Sequence, residues 1–426
     1  MILVVVVRRF AMNQFNTEQY LQKWIPLNEK MMAEDFLWGT LFEDNEWHQY
    51  MAFDLYKMPK YQWDNIAKAT QAIAHILQKT YRLIGEDEAL LLKLGLPASA
   101  YNLKNIISCY FSYFARLDLI VNGDNIKIIE VNCDTPTGYL ETSICNRIIC
   151  EMHHCQSPNS LEKNIQQAWE QIKQDYAIAP TDAIYFTSYN WHDEDRETVQ
   201  FIRNNCLNQK SRYIHIGNIV VAANGIFTPK GEPIEFLYRL YPLEFFDQVD
   251  EERELKAGHL FLEHIAEGRV KIINPPAAFL MQSKAVMAIV YSFLREKPNN
   301  FTTTELNWID EYFLPTYFDT SVFTENNEAY VAKPLWGREG GGVSIFDNQQ
   351  NVVDEDRTAY YYQQKRIYQK YLEMPETTIG TWDGDYTGKL LIGSFLINGN
   401  PSGLFLRVGE RITGNLSMFC GITTIN

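Results

Sequence analysis

The stretch RLDLIVNGDNIKIIEVNCDTPTG, residues 116–138, constrains the fold more than any other part of the chain. Two apolar-rich runs flank Asn122-Gly123-Asp124, a combination that favours a β-hairpin. Side chains alternate faces along a strand, and residues opposite each other in an antiparallel pair keep a constant index sum. With a three-residue loop at 123–125, Asp118 faces Glu130 and Arg116 faces Asn132, so all four polar groups share one face. Leu117, Leu119, Val121, Ile129 and Val131 then point to the other face, into a core. A two-residue loop would set Asp118 against Ile129 and bury polar groups among aliphatic ones, which costs free energy when partners are lacking. The odd loop is therefore expected.

Asp118, Glu130 and Asn132 beside Arg116 form an oxygen-rich set suited to a hard cation such as Mg²⁺, which keeps part of its shell for phosphate oxygens and water. Zinc would call for His or Cys, and this face has neither. A solvated face with an exposed Arg–Asp pair, contributing under about 1 kcal/mol, accounts for the same residues. The next six residues, CDTPTG, separate these readings. Thr135 and Thr137 flank Pro136, and proline is favoured at the first position of a helix. A helix over about 137–154 would aim free N–H groups at an anion next to the cation. That arrangement suits a carboxylate meeting a phosphoryl group.

The rest of the chain supplies the frame. Residues 17–96 read as mostly helical, with Ile66, Ala69, Ile73, Ile76, Leu77 and Tyr81 on one face before Pro97 breaks the pattern. Alternating strand and turn patterns place an α/β lobe at about 100–275, and a second α+β lobe follows at about 300–426. The start, MILVVVVRRF, is too short to span a bilayer and carries its arginines on the wrong side for a signal peptide. Residues 1–19 are read as an N-terminal extension. A net charge of −15 argues against nucleic acid as the main partner. Seven cysteines without a spaced framework, and no membrane segment, point to the cytoplasm.

A second passage, KPLWGREGGGVSIF at 333–346, places a lysine, an arginine and three consecutive glycines between two strand-like runs. Glycine weakens strand interiors, so this is either a loose turn or a backbone that must come close to something. It contains no G-x-x-x-x-G-K-[ST] and no G-x-G-x-x-G pattern.

Taken together, Arg116-x-Asp118, Glu130-x-Asn132-x-Asp134-Thr135-Pro136-Thr137 and the later Lys333-Pro-x-x-Gly337-Arg338-Glu339-Gly340 resemble the synthetase domain of the glutathionylspermidine synthase family. The likeness is to the bacterial stand-alone homologues without an amidase domain, and it covers about 20–426. It implies an α/β protein of α+β lobes in the ATP-grasp architecture, with a pre-ATP-grasp-like N-terminal region. It also implies ATP and Mg²⁺ as cofactors, and an acid that attacks the γ-phosphoryl group to give an acyl phosphate, from which an amine displaces phosphate. By position, Asp118, Glu130 and Asn132 hold Mg²⁺, and Arg116 stabilises the phosphoryl group in transfer. ATP meets Arg116, Asp118, Lys284, Lys333, the loop Gly340, Gly341 and Gly342, the hinge Gln369, Lys370, Tyr371 and Leu372, and Arg407. Asp134, Thr135, Thr137 and Glu194 receive the acid substrate. On this reading the glycines let N–H groups approach phosphates where a Cβ would intrude, and their mobility lets a lid close.

The partners expected are a small peptide-like acid and an amine or polyamine, with no nucleic acid and no membrane. Two other functions use the same residues: ATP-dependent phosphotransfer to a small molecule, and nucleotide binding by a regulatory homologue without ligase activity.

Overall fold

In a computed structural model, residues 14–43, 45–247 and 256–426 are described. The stretch MILVVVVRRF lies outside them. The first element is the helix Gln14–Met32, so the expected boundary at 19/20 falls inside a helix.

Residues 17–96 are mostly helical, as expected, in Gln14–Met32, Lys60–Glu86 and Glu88–Lys93, but not without interruption. A short hairpin, Thr40–Glu43 with Glu46–Gln49, and the strand Met51–Pro59 interrupt the helices. The long helix Lys60–Glu86 follows, and Ile66, Ala69, Ile73, Ile76, Leu77 and Tyr81 are all buried as the helical period requires. Burying each such side chain contributes about 1.5–3 kcal/mol. That face covers a seven-stranded sheet in the order Met51–Pro59, Met418–Ile425, Asn400–Gly409, Gly384–Ile397, Phe114–Asn122, Asn125–Asn132, with Glu376–Thr381 paired beside Gly384–Ile397.

The last fifty residues therefore do not stay in the second lobe. They pair with strands from the first half of the chain: Gly384–Ile397 is antiparallel to Phe114–Asn122, and Met418–Ile425 runs parallel to Met51–Pro59. The expected α/β lobe is present as a parallel four-stranded sheet, Lys271–Ile273, Phe236–Arg239, Ile184–Ser188, Ser211–His215. The later part of the chain forms a five-stranded antiparallel sheet, Thr316–Tyr317, Arg366–Lys370, Tyr330–Pro334, Ser344–Phe346, Val352–Glu355.

Among the described residues no single helix is long and apolar enough to cross a membrane. The apolar helices Pro276–Gln282 and Ala285–Glu296 meet at 75°. Ser283 and Lys284 occupy the break between them, which frees the Lys284 side chain from both helices. All seven cysteines are free thiols.

Candidate functional site

The hairpin forms, and Arg116 faces Asn132 while Asp118 faces Glu130, as the alternation requires. The route to that register differs from the expected one. The loop has two residues, with Asn122 paired to Asn125, and a bulge between Asp118 and Leu119 restores the register at the polar end. An extra residue on one strand shifts the faces on either side of it. Ile126 and Ile128 therefore enter the core with Leu117, Leu119 and Val121, and Ile129 does not. Ile129 instead turns to the polar face, against Ile120, Leu372, Met374 and Leu391.

These residues open onto a cavity of about 390 Å³ between the large sheet and the five-stranded sheet. Arg116, Asp118, Glu130, Asn132, Thr135, Thr137, Glu194, Lys284, Lys333, Gly340, Gly341, Gln369, Lys370, Tyr371, Leu372 and Arg407 all line it. Residues predicted from six separate parts of the sequence thus line one cavity.

At the polar end Asp118 is buried and saturated with donors. Arg116 Nε gives 2.7 Å to its Oδ1, while Arg116 Nη2, Asn132 Nδ2 and Arg407 Nη2 give 3.1, 3.2 and 3.0 Å to Oδ2. Burial alone would raise the Asp118 carboxyl, but the guanidiniums of Arg116 and Arg407 outweigh it and hold the group below the usual carboxylate range. Arg116 is fixed further by Nη1 donating 2.8 Å to the Thr137 carbonyl and by stacking on Phe405. Lys284 Nζ donates 2.7 Å to Glu130 Oε1 and 2.6 Å to the Gly337 carbonyl. Lys333 Nζ donates 2.9 Å to the Ile129 carbonyl, which the bulge presents, and 2.8 Å to Gln369 Oε1. Burial, with Lys284 adding to it, lowers the Lys333 ammonium to about 8.

A hard cation fits this donor set in part. Among the described residues Glu130 keeps its second oxygen and Asn132 its amide oxygen free of hydrogen bonds, whereas Asp118 is already neutralised by two arginines. No three His, Cys, Asp or Glu side chains gather around one point among the described residues. The set is two carboxylates and an amide, which is oxygen-only chemistry of the kind magnesium takes.

Several expectations change on contact with the geometry. Asp134 does not reach the cavity: its side chain is fully buried in a two-point pair with Arg239, 3.0 Å from Nη1 to Oδ2 and closer still from Nη2 to Oδ1. It anchors the strand end, because a buried carboxylate needs a cation to offset its desolvation. Pro136 does not begin a helix. Gly138, at φ 93°, separates the threonines from helical residues starting at Tyr139, and the first full turn is a π-turn, Glu141–Cys145. Thr135 and Thr137 stay in an extended loop, and Thr135 accepts 3.1 Å from Arg338 Nη1.

In the glycine loop, Gly340 and Gly342 have φ near +75°, a region only glycine adopts freely. A Cβ on Gly340 would meet Ile412 and Thr413 of the loop 410–417, and one on Gly342 would meet Tyr361. Gly342 lies off the cavity wall, its N–H donating 2.8 Å to Asp356, and the Gly341 N–H donates 2.7 Å to the Arg338 carbonyl. Close packing against protein already requires these glycines. At the hinge the Lys370 and Tyr371 N–H groups bond the carbonyls of Pro315 and Ala329, and the Gln369 side chain spans Lys333 and Thr316. Gln369 positions the lysine.

Sequence reasoning missed a group at the far end of the cavity. Leu41 and Glu43 reach it from the unforeseen hairpin and Tyr50 from the residue that joins the hairpin to the next strand, and Ile412 through Asn415 close it from the C-terminal loop. Arg338 ties this end together with two donors to Glu244 Oε1, at 2.9 and 2.7 Å. Glu244 is otherwise buried in an aromatic run, and an acid in such a setting was its one visible signal.

The two lobes enclose a cavity lined by both Lys284 and Lys333 and by an apolar slot, and the fold is shared with a glutathione synthetase-like protein. Across 96% of this chain it superposes on 98% of a glutathione synthetase-like effector from Globodera pallida, with TM-score 0.62 and 12% identity. The chain belongs to the glutathionylspermidine synthase family, whose pre-ATP-grasp description matches residues 20–424. A Haemophilus influenzae protein named "Putative acid--amine ligase" is 24% identical over 319 residues, 72% of this chain and 73% of its own length.

Proposed function

We propose that the protein is an ATP-dependent acid–amine ligase of the cytoplasm, forming an amide through an acyl phosphate. One observation carries this reading: Asp118, Glu130, Asn132, Arg116, Arg407, Lys284 and Lys333 converge on the same cavity as an apolar slot. Ile120, Ile129, Leu372, Met374 and Leu391 form that slot and suit an adenine ring, with Lys370 and Tyr371 at its rim. Lys284 and Lys333 hold the phosphates, and Arg116 and Arg407 face the phosphoryl group in transfer.

Glu130 and Asn132, through the oxygens left free of hydrogen bonds, would hold Mg²⁺, with Asp118 joining only if it gave up an arginine contact; the ion when bound would offset phosphate charge. Thr135 and Thr137 sit where the acid carboxylate would enter, beside Arg116 and Arg338. Donors held rigidly before the reaction act mainly on the transition state. Arg116, bonded at three nitrogens and stacked on Phe405, is held in that way. The Haemophilus relative's name and the family membership support the reaction class, with a peptide-like acid and an amine or polyamine as substrates.

Hydroxylamine traps an acyl phosphate as a hydroxamate and leaves a phosphate ester untouched. Incubating the protein with ATP, Mg²⁺, hydroxylamine and a panel of peptide acids including glutathione is expected to yield hydroxamate with ADP. ADP release with a phosphorylated product and no hydroxamate would mean phosphotransfer instead.

A further inference from the structure

The far end of the cavity contains a carboxyl that the activation chemistry does not use. Glu194 is the second residue of the helix Asp193–Asn205 and lines the cavity near Tyr50, Thr135 and Glu339. Protein encloses it on most sides, yet its side chain opens to the cavity, and among the described residues it makes no hydrogen bond or ion pair. Its helical neighbours are engaged elsewhere: Asp195 contacts His192, and Asp193 pairs with Arg196.

Behind this wall is a second uncompensated acid. Glu141 is completely buried in the π-turn, and π-turns recur at functional sites. Its Oε1 accepts from Trp38 Nε1 and from the Tyr50 hydroxyl, both at 2.9 Å, while its Oε2 is buried without any partner. A buried carboxyl with an orphaned oxygen is costly and is rarely retained for stability alone. Through Tyr50, which faces the cavity, Glu141 connects to the space in front of Glu194.

We infer that Glu194 is the proton acceptor for the incoming amine, with Glu141 forming an acidic background behind it, and that it does not hold the acid substrate as sequence position implied. This rests on the ligase reading above. An amine reaches the site as an ammonium ion without a lone pair to attack with. Glu194 carboxylate takes one proton, breaking N–H and forming O–H. The freed lone pair forms the C–N bond, and the acyl C–O bond breaks with its electron pair leaving on phosphate. The second nitrogen proton goes to that phosphate, which departs as the monohydrogen form. Charge and atoms balance with no further reactant.

The surroundings match this role. Burial first, then the charges of Glu141 and Asp195, push the Glu194 carboxyl up to about 8, with Glu339 adding and His192 opposing. Tyr50 and Glu43 also face this end, while Arg338 is neutralised by Glu244 and the guanidiniums of Arg116 and Arg407 by Asp118. A base matched to the working pH transfers protons most effectively. A group that held the substrate's carboxylate would need the opposite setting, cations in place of carboxylates.

The test compares two nucleophiles on wild-type protein and Glu194→Gln, with the acid that yields hydroxamate. Hydroxylamine is uncharged at neutral pH and needs no base, whereas propylamine arrives protonated. We expect Glu194→Gln to form hydroxamate within about threefold of wild type but to lose about a hundredfold or more with propylamine. Its melting temperature should not fall below that of the wild type, and its ATP affinity should be retained. In the wild type the propylamine rate should rise with pH through about 8, and Glu141→Gln should move that rise to lower pH. Equal losses with both nucleophiles would return Glu194 to acid-substrate binding, and full propylamine activity would remove it from the reaction. An unmoved pH profile in Glu141→Gln would leave Glu141 a purely structural residue. Wild-type protein that forms no hydroxamate with any acid would instead overturn the ligase reading itself.

Discussion

At the hairpin end of the cavity each carboxylate meets a cation: Asp118 takes Arg116 and Arg407, and Glu130 takes Lys284. At the far end Glu194 faces the same cavity unpaired, and Glu141 behind it has two neutral donors on one oxygen and nothing on the other. Asp118 is thus held below the usual carboxylate range at one end, whereas Glu194 and Glu141 are pushed toward their neutral forms at the other. The difference follows from what each end must do. Phosphoryl transfer needs fixed charges that do not change during the reaction, while amine attack needs a group that exchanges a proton near neutral pH.

The largest expected effect would break the paired end. Asp118→Ala leaves two guanidiniums without their shared counter-charge and should destabilise the fold by about 3–5 kcal/mol, read by denaturant unfolding, with turnover lost. A mild effect on both would mean that Asp118 is a dispensable surface acid. Next in size is Lys333→Met. Its ammonium is already disfavoured by burial, so the fold should tolerate the change while ATP affinity falls about tenfold or more, near 1.4 kcal/mol. An unchanged dissociation constant would take Lys333 out of the phosphate site.

A smaller effect tests the bulge. If Ile129 lines a base slot, Ile129→Ala should weaken ATP about fivefold, near 1 kcal/mol, and leave inorganic triphosphate binding unaltered. Equal weakening of both would mean the slot holds no base. The smallest effect has a diagnostic sign. An acid whose folded pKa lies above its unfolded value keeps its proton longer when folded, so Glu194 weakens the fold as pH rises from about 4.5 toward 8. Glu194→Gln lacks that slope. Its melting temperature should gain on the wild type across this window, and a constant gap would indicate a carboxyl titrating in the ordinary range.

The two ends also differed in how far the sequence revealed them. Arg116, Asp118, Glu130 and Asn132 were legible because strand alternation is local and their polarity contrasts with Leu117 and Val131. The loop length was misjudged because a bulge changes register without leaving a residue signature, so Ile129 was assigned to the core and faces the cavity. The far end was almost invisible. Glu43 comes from a strand, and Tyr50 from the junction between two strands, inside a stretch read as helical, and Glu141 comes from a π-turn indistinguishable in sequence from an ordinary helix. Its partners, Trp38 and Tyr50, lie about a hundred residues away. Asp134 carried the opposite error: adjacency to the motif suggested substrate contact, and only Arg239, distant in sequence, shows it to be an anchor.

The central claim is that one cavity joins the acid to phosphate before the amine arrives. It is tested most directly by labelling both carboxylate oxygens of the acid with heavy oxygen and analysing the inorganic phosphate released during amide formation. The account predicts one labelled oxygen in each phosphate, because the acid oxygen bridges carbon and phosphorus before it leaves. Phosphate free of label, with amide still formed, would contradict it.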